Sequence, residues 1–307
     1  MEKIIFFGTN QFAVPSLQKL AESFDIGLVV TMPAKPAGRK QELRASAVEL
    51  EAKKLGLNII SPKNLDDELI QKIKETNPLF YVVVDYGKII PQEILDIPKK
   101  GAINIHPSKL PKYRGASPIQ TAILNGEKET AISIMLMDEE MDHGPILAQK
   151  KAEILPDDNY PLLYSRLSES ASDFLIETIN KYLSGEIEPQ SQDDGAATFT
   201  KILKREDGKI DWTKPALEIE RMVRAYNPWP GTFTERGGKR IKILQASISP
   251  QNYPDKQPGQ FFKTPSGELA IGCGQNTSLL IHNLQPEGKK PITGKEFIQG
   301  YLKELYN

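Results

Sequence analysis

At 307 residues the chain exceeds one typical domain, so two are expected, and 39% hydrophobic with 26% charged residues excludes intrinsic disorder. Thirty-nine Lys and Arg against 40 Asp and Glu give a net charge of -1, which excludes generic coating of nucleic acid and requires such a partner to meet a local patch. Cys273 is the single cysteine, so an internal disulfide and a Cys-rich zinc site are excluded, and the lack of a signal-like or membrane-spanning apolar run predicts a cytoplasmic protein with no membrane partner.

Lys3–Phe7 reads as a short apolar strand, followed by Gly8-Thr-Asn-Gln and a helix over 12–20 with Pro15 in its first turn. One glycine in that turn is too few for the G-x-G-x-x-G fingerprint, so neither NAD nor FAD is expected. The strand Ile26–Thr31 opens into Met32–Lys40, a Pro- and Gly-rich candidate binding loop too irregular to be an element. Ser46-Ala-Val-Glu49 is a capping box for a helix to Leu55, and a strand at 58–60 and a helix over 65–76 follow. The unbroken β-branched and aromatic run Leu79–Val84 predicts a strand buried on both faces, turned by Asp85–Pro91.

A strand ending at His106, a helix over 117–124 and a strand over 131–137 come next. The acidic turn Asp138–Pro145, a returning strand over 146–154 and a long helix over 159–183 complete the pattern, with Gly185 at the helix C′ position. This alternation predicts a doubly wound, mostly parallel α/β sheet over 1–185. The polar, aperiodic run from Glu186 predicts a linker over 186–205. The remainder, 206–307, contains one helix within 212–226, with Leu217, Met222, Val223 and Tyr226 as its apolar positions, and then short runs at 239–244, 259–262, 268–272 and 278–284, which predict a small β-barrel or sandwich.

Chemistry concentrates at Asn104-Ile-His106-Pro107. Side chains alternate across a strand, so the amide and the imidazole share a face, and Pro107 ends the strand to present them at the carboxyl edge where α/β sheets bind ligands. The strands before Asp85 and Asp142 are expected to deliver both acids to that edge. An Asn–His pair suits stabilisation of an oxyanion, with Asp142 holding the productive His106 tautomer or accepting a proton through water. No nucleophile accompanies them: Ser108 has no G-x-S-x-G elbow and Cys273 lies in the other domain, which points to direct acyl-type transfer to an external nucleophile. The run Asp138–Asp142 reads equally as a solvated turn, so the residues alone leave Asp142 open between the two roles. No metal-ligand spacing is present and no metal is expected.

Lys35, Arg39, Lys40 and Arg44 make a basic loop suited either to phosphates or simply to solvent. Residues 199–242 hold 11 basic and six acidic side chains, a local excess of +5, with Trp212, Tyr226 and Trp229 interleaved. That composition fits a nucleic-acid face, although the two tryptophans are expected to pack rather than to stack on bases.

Asn104-Ile-His106-Pro-Ser-Lys-Leu-Pro-Lys-Tyr-Arg-Gly-Ala-Ser-Pro118 resembles the N-x-H-x-S-x-L-P-x-x-R-G-x-x-P signature of the methionyl-tRNA formyltransferase family, and Met141-Asp-His-Gly144 resembles its L-D-T-G turn. The resemblance runs almost end to end. It implies a Rossmann-like formyltransferase domain, an OB-like C-terminal barrel that binds tRNA, and Asn104, His106 and Asp142 as the catalytic residues. It implies 10-formyltetrahydrofolate as co-substrate, near Ser108, Lys109, Leu110 and Pro111 and the turn Tyr86, Gly87, Lys88, Ile89 and Ile90. Arg39, Lys40 and Phe12 are the implied contacts of the acceptor arm of initiator Met-tRNA, and a monomer is expected.

Thr31–Arg39 resembles the inserted loop that separates the tRNA enzymes from relatives acting on an amino-sugar nucleotide, the alternative acceptor. The segments 210–212, 224–231 and 284–291 are similar to the start and end of the family's C-terminal domain. The chain departs from the family pattern at Ala34, Asp85, Lys109, Glu140 and His143.

Overall fold

In the computed structural model, which describes residues 2–37 and 42–301, the chain forms two compact units. The first comprises the chain up to Pro118, Glu129–Glu153 and Tyr164–Thr200; the second comprises Ile119–Lys128, Ile154–Leu163 and the chain from Lys201.

The strands of the first unit are β1 (Lys3–Gly8), β2 (Asp25–Val30), β3 (Lys35–Ala37), β4 (Glu42–Arg44), β5 (Ile59–Ile60), β6 (Tyr81–Val84), β7 (Ala102–His106), β8 (Arg114–Gly115), β9 (Glu129–Leu136), β10 (Ile146–Glu153) and β11 (Phe199–Thr200). Seven of them make the main sheet in the order β10-β9-β7-β6-β1-β2-β5. All neighbours run parallel except β9, which is antiparallel to both β7 and β10. All four β6 residues are buried, as a central strand covered on both faces requires.

Helices α1 (Val14–Ser23), α2 (Ala47–Lys54), α3 (Asp67–Thr76) and α4 (Gln92–Leu95) follow successive strands. Ser46 caps α2 by accepting the Glu49 N–H at 2.9 Å, and Asp66 caps α3 by accepting the Leu69 N–H at 3.3 Å. Leu69 and Ile73 of α3, with Ile94 and Leu95 of α4, bury against Ile5, Phe7, Tyr81, Val83 and Ala102 of the sheet. Helix α5 (Pro118–Asn125) lies beyond Pro118 in the second unit, and α6 (Tyr160–Ser184) belongs to the first unit from Tyr164 onward.

Part of the stretch expected to be an irregular loop is instead a hairpin: β3 pairs with β4, with Pro36 opposite Leu43. A two-stranded ribbon has open edges, so the missing N–H of a proline is tolerated there.

The second unit packs α7 (Ala216–Tyr226) on a curled antiparallel sheet, an open half-barrel. Its strands are β12 (Thr232–Arg236), β13 (Lys239–Ile248), β14 (Phe261–Lys263), β15 (Leu269–Gly272), β16 (Ser278–Pro286) and β17 (Ile292–Thr293), and α8 (Gly294–Gly300) ends the described chain. Ile219 and Val223 of α7 meet Ile243, Ile271, Leu279, Ile281 and Phe297 in one core, which also contains Cys273. The helix expected within 212–226 runs from Ala216 to Tyr226. Asp211 forms an Asx-turn with Thr213, accepting its N–H at 3.0 Å, and Pro215 then occupies the N-cap position. Trp212 packs as expected, its indole N–H donating to Thr234 at 3.0 Å, whereas Trp229 is 55% exposed on the loop between α7 and β12.

No helix among the described residues is long and apolar enough to cross a membrane.

Candidate active site

Strand β7 carries Asn104 and His106 on one face, as the alternation requires, and the His106 ring is buried. Asp142 joins them. The Asn104 amide donates to Asp142 Oδ1 at 3.4 Å, and His106 Nδ1 lies 3.5 Å from Asp142 Oδ2. Asp142 Oδ2 also accepts the backbone N–H of Gly115 at 2.7 Å, the shortest of these contacts.

The route by which Asp142 arrives differs from the sequence expectation. Because β9 runs antiparallel, its last residue Leu136 pairs with Ile103, and the chain leaves the strand beside the amino end of β7. The turn 138–145 has to come back over the face bearing Asn104 and His106. Two tight features let it do so: Asp142 itself has φ 51°, and a Cβ on Gly144 would stand 2.0 Å from the Leu136 carbonyl oxygen, so only glycine fits there. Asp85 takes no part in this cluster. It sits past the end of β6 and accepts the Asn10 amide at 3.0 Å; crowding by surrounding protein raises its carboxyl pKa, with that hydrogen bond opposing the rise.

The His106 tautomer is also set differently from expectation. Nε2 lies 2.9 Å from the Tyr113 carbonyl oxygen, and a carbonyl can only accept, so the proton of this hydrogen bond sits on Nε2. Nδ1 is thereby left facing Asp142 and the Asn104 side. Tyr113 reaches this position with φ 64° in the loop leading to β8.

The stretch 108–111 is pinned from within. Ser108 Oγ donates to the Lys112 carbonyl at 2.6 Å; Ser133 Oγ donates to the Ser108 carbonyl at 2.6 Å and accepts the Leu110 N–H at 3.3 Å. Gln149 donates to the Leu110 carbonyl at 2.9 Å, and the Leu110–Pro111 peptide is cis. Lys109 pairs with Glu129 at 3.2 Å.

In the turn after β6, Tyr86 and Ile90 are buried, Ile89 is 78% exposed, and the Lys88 amine donates to the Lys63 carbonyl. Burial pushes the Tyr86 phenol up to about 12. Phe12 is buried with its ring edge-on to Tyr164 and its N–H donating to the Tyr164 hydroxyl at 2.6 Å. Arg39 and Lys40 lie outside the described residues. Among the described residues no group of His, Cys, Asp and Glu has the arrangement of a metal site.

Sequence reading missed three participants: the Gly115 N–H, the Tyr113 carbonyl and the segment 190–194. The first two are backbone groups, which carry no residue-type signal. Gln192 belongs to the segment read as a linker, yet its amide donates to the Asp142 carbonyl at 2.9 Å and to the Gly144 carbonyl at 2.8 Å.

An amide, an imidazole and a carboxylate on one sheet face, with no side-chain nucleophile beside them, suit transfer of a carbonyl-containing group between two bound substrates. A family model described as Formyl transferase matches residues 2–179, and one described as Formyl transferase, C-terminal domain, matches 202–302. A methionyl-tRNA formyltransferase of Thermodesulfovibrio yellowstonii is 46% identical over 299 residues, covering 97% of this chain and 95% of its own.

In fold the chain is similar to WlaRD, a sugar 3N-formyl transferase described with dTDP and 5-N-formyl-THF, at TM-score 0.68 and 20% identity over 94% of this chain and 99% of that one. It is also similar to HypX from Aquifex aeolicus in complex with tetrahydrofolic acid, at TM-score 0.64 and 17% identity over 97% of this chain, and spans about half of HypX, 47%. The chain belongs to the formyl transferase family, in the branch whose curated members are named methionyl-tRNA formyltransferase.

Proposed function

We infer that the protein transfers the formyl group of 10-formyltetrahydrofolate to the α-amine of methionyl initiator tRNA, acting as a cytoplasmic monomer in translation initiation. The observation that carries this reading is the convergence of Asn104 and His106 on Asp142, each within 3.5 Å of its carboxylate, joined to 46% identity with a methionyl-tRNA formyltransferase over 97% of the chain.

The neutral amine attacks the formyl carbon, a C–N bond forms, and the carbonyl electron pair moves onto oxygen. The second N–H of the Asn104 amide and a protonated His106 Nδ1 stabilise that oxyanion. Asp142 holds the amide, faces Nδ1 and helps move the proton lost by the amine through water; as the intermediate collapses the carbonyl re-forms, the C–N10 bond breaks, and N10 of the departing folate takes up that proton. Residues 108–111 and 86–90 form the folate wall in this reading, and Arg39 and Lys40 serve the acceptor arm, whereas Phe12, 3% exposed and edge-on to Tyr164, is not open to it. The basic excess of 199–242 supports a tRNA face in the second unit.

The decisive experiment offers the protein 10-formyltetrahydrofolate with Met-tRNA or with an amino-sugar nucleotide. Formylation of Met-tRNA is expected, with Asn104→Ala and His106→Ala each lowering turnover on the order of 10² to 10³. Activity confined to the sugar would overturn the acceptor, and near-normal turnover in both variants would overturn the catalytic assignment.

A further inference from the structure

The turn that brings Asp142 to the site is tied back to its own strand at Pro145, beyond Asp142, where the carbonyl accepts the Leu136 N–H at 2.9 Å. It leaves β9 in the wrong direction, and Asp142 occupies the left-handed region, where a residue with a Cβ is strained. Something has to fix it. The segment read as a linker supplies that fixation: Gln190 exchanges both backbone hydrogen bonds with Ile146, at 2.7 and 2.9 Å, and this lays Gln192 against the turn.

The Gln192 amide is used at both ends. Its nitrogen donates to the carbonyls of Asp142 and Gly144, and its oxygen accepts from Arg114 Nε at 3.1 Å and a terminal Arg114 nitrogen at 2.9 Å. Arg114 is buried and also binds Asp194 at 2.7 Å. The next residue along β8, Gly115, gives its N–H to the Asp142 carboxylate at 2.7 Å. Backbone and side chain of Asp142 are therefore gripped from the same short strand, one through Gln192 and the other directly.

We propose that Gln192 is a positioning residue for the transfer reaction, holding the backbone of the 142–144 turn so that the Asp142 carboxylate stays beside Asn104 and His106. This deepens the proposed function and rests on its reading of Asp142. Both ends of the Gln192 amide are taken by protein groups, so its effect on the reaction passes through Asp142. It acts through geometry, and a displacement of about 1 Å at a reacting group costs on the order of 10²-fold in rate.

The test uses the full chain with Gln192→Glu and Gln192→Ala. The introduced carboxylate of Gln192→Glu still accepts from Arg114 but cannot donate, and it faces two carbonyls. Both variants are expected to lose about 10- to 100-fold in kcat, as partners that orient reacting groups typically do. KM for folate and for the acceptor should stay within about threefold, since substrate binding is not what Gln192 serves. The pH profile of kcat should shift with the displaced carboxylate.

Thermal unfolding in parallel reports folding, and Gln192→Ala keeps the test open if Gln192→Glu does not fold. Full kcat with an unmoved pH profile in folded variants would overturn the proposal, as would a rise in KM at unchanged kcat. Failure of the wild-type protein to formylate Met-tRNA is a separate result. It overturns the proposed acceptor, and the Gln192 variants are then compared on the amino-sugar nucleotide.

Discussion

Asp142→Asn replaces one carboxylate oxygen by an NH2 group with almost no change in shape. In the native site Oδ1 accepts from Asn104 at 3.4 Å and Oδ2 accepts from the Gly115 N–H at 2.7 Å, so both positions require an acceptor. Whichever way the introduced amide turns, one of its N–H groups meets a donor. The Gly115 contact is the shorter and is fixed in the backbone, so the oxygen should stay there and the conflict should fall on Asn104.

Asn104 relieves it by flipping its own amide, which turns a carbonyl toward the reacting centre in place of an N–H. The charge facing His106 Nδ1 disappears in the same step. A lost hydrogen bond of this kind costs about 1–3 kcal/mol of stability, but the loss of an oxyanion donor costs on the order of 10² to 10³ in turnover. Single-turnover formyl transfer at saturating folate and acceptor, with thermal unfolding as control, separates the two. Turnover within about threefold of wild type in a folded Asp142→Asn protein would refute the reasoning, because Asn104 would then not depend on an acceptor at that position.

Further predictions concern neighbouring groups. In Gly144→Ala the added methyl would lie 2.0 Å from the Leu136 oxygen, where real Cβ contacts begin at 3.0 Å, so the turn must shift by about 1 Å, the difference between the two. Overpacking of this kind costs about 1–3 kcal/mol in stability, and the shift should lower kcat about 10²-fold, measured by urea unfolding and formyl transfer. The imidazole of His143 donates to Asp138 at 2.6 Å and lies 3.3 Å from Asp194, and the Asp138 hydrogen bond raises its pKa above 6.5. A raised folded-state pKa contributes stability that is fully present below the unfolded value and lost as pH rises through the folded one. The Tm difference between wild type and His143→Thr should therefore be larger at about pH 5.5 than at about pH 9. Burial pushes the Cys273 thiol up to about 12, so a thiol-alkylating reagent should label it only after unfolding, as mass spectrometry of native and denatured protein would report.

The sequence determined the parts of the molecule that depend on local pattern. The two-residue period of Ile103–His106 put the amide and imidazole on one face, the Leu79–Val84 run became the strand Tyr81–Val84 buried on both sides, and the cap at Ser46 stands where the Ser46–Glu49 box predicts it. Strand and helix alternation likewise announced the mostly parallel sheet.

Three things were decided only by the tertiary structure. The antiparallel sense of β9 set the path by which Asp142 returns to the site. Backbone groups of Tyr113 and Gly115 took the His106 and Asp142 contacts, and backbone N–H and C=O groups are the same in every residue that has them. The polar stretch around Gln192 has no periodicity because it packs no apolar face; it is held by hydrogen bonds to residues as far away in sequence as Arg114. Such pairing leaves no trace in local composition, and it is what holds the Asp142 turn in place.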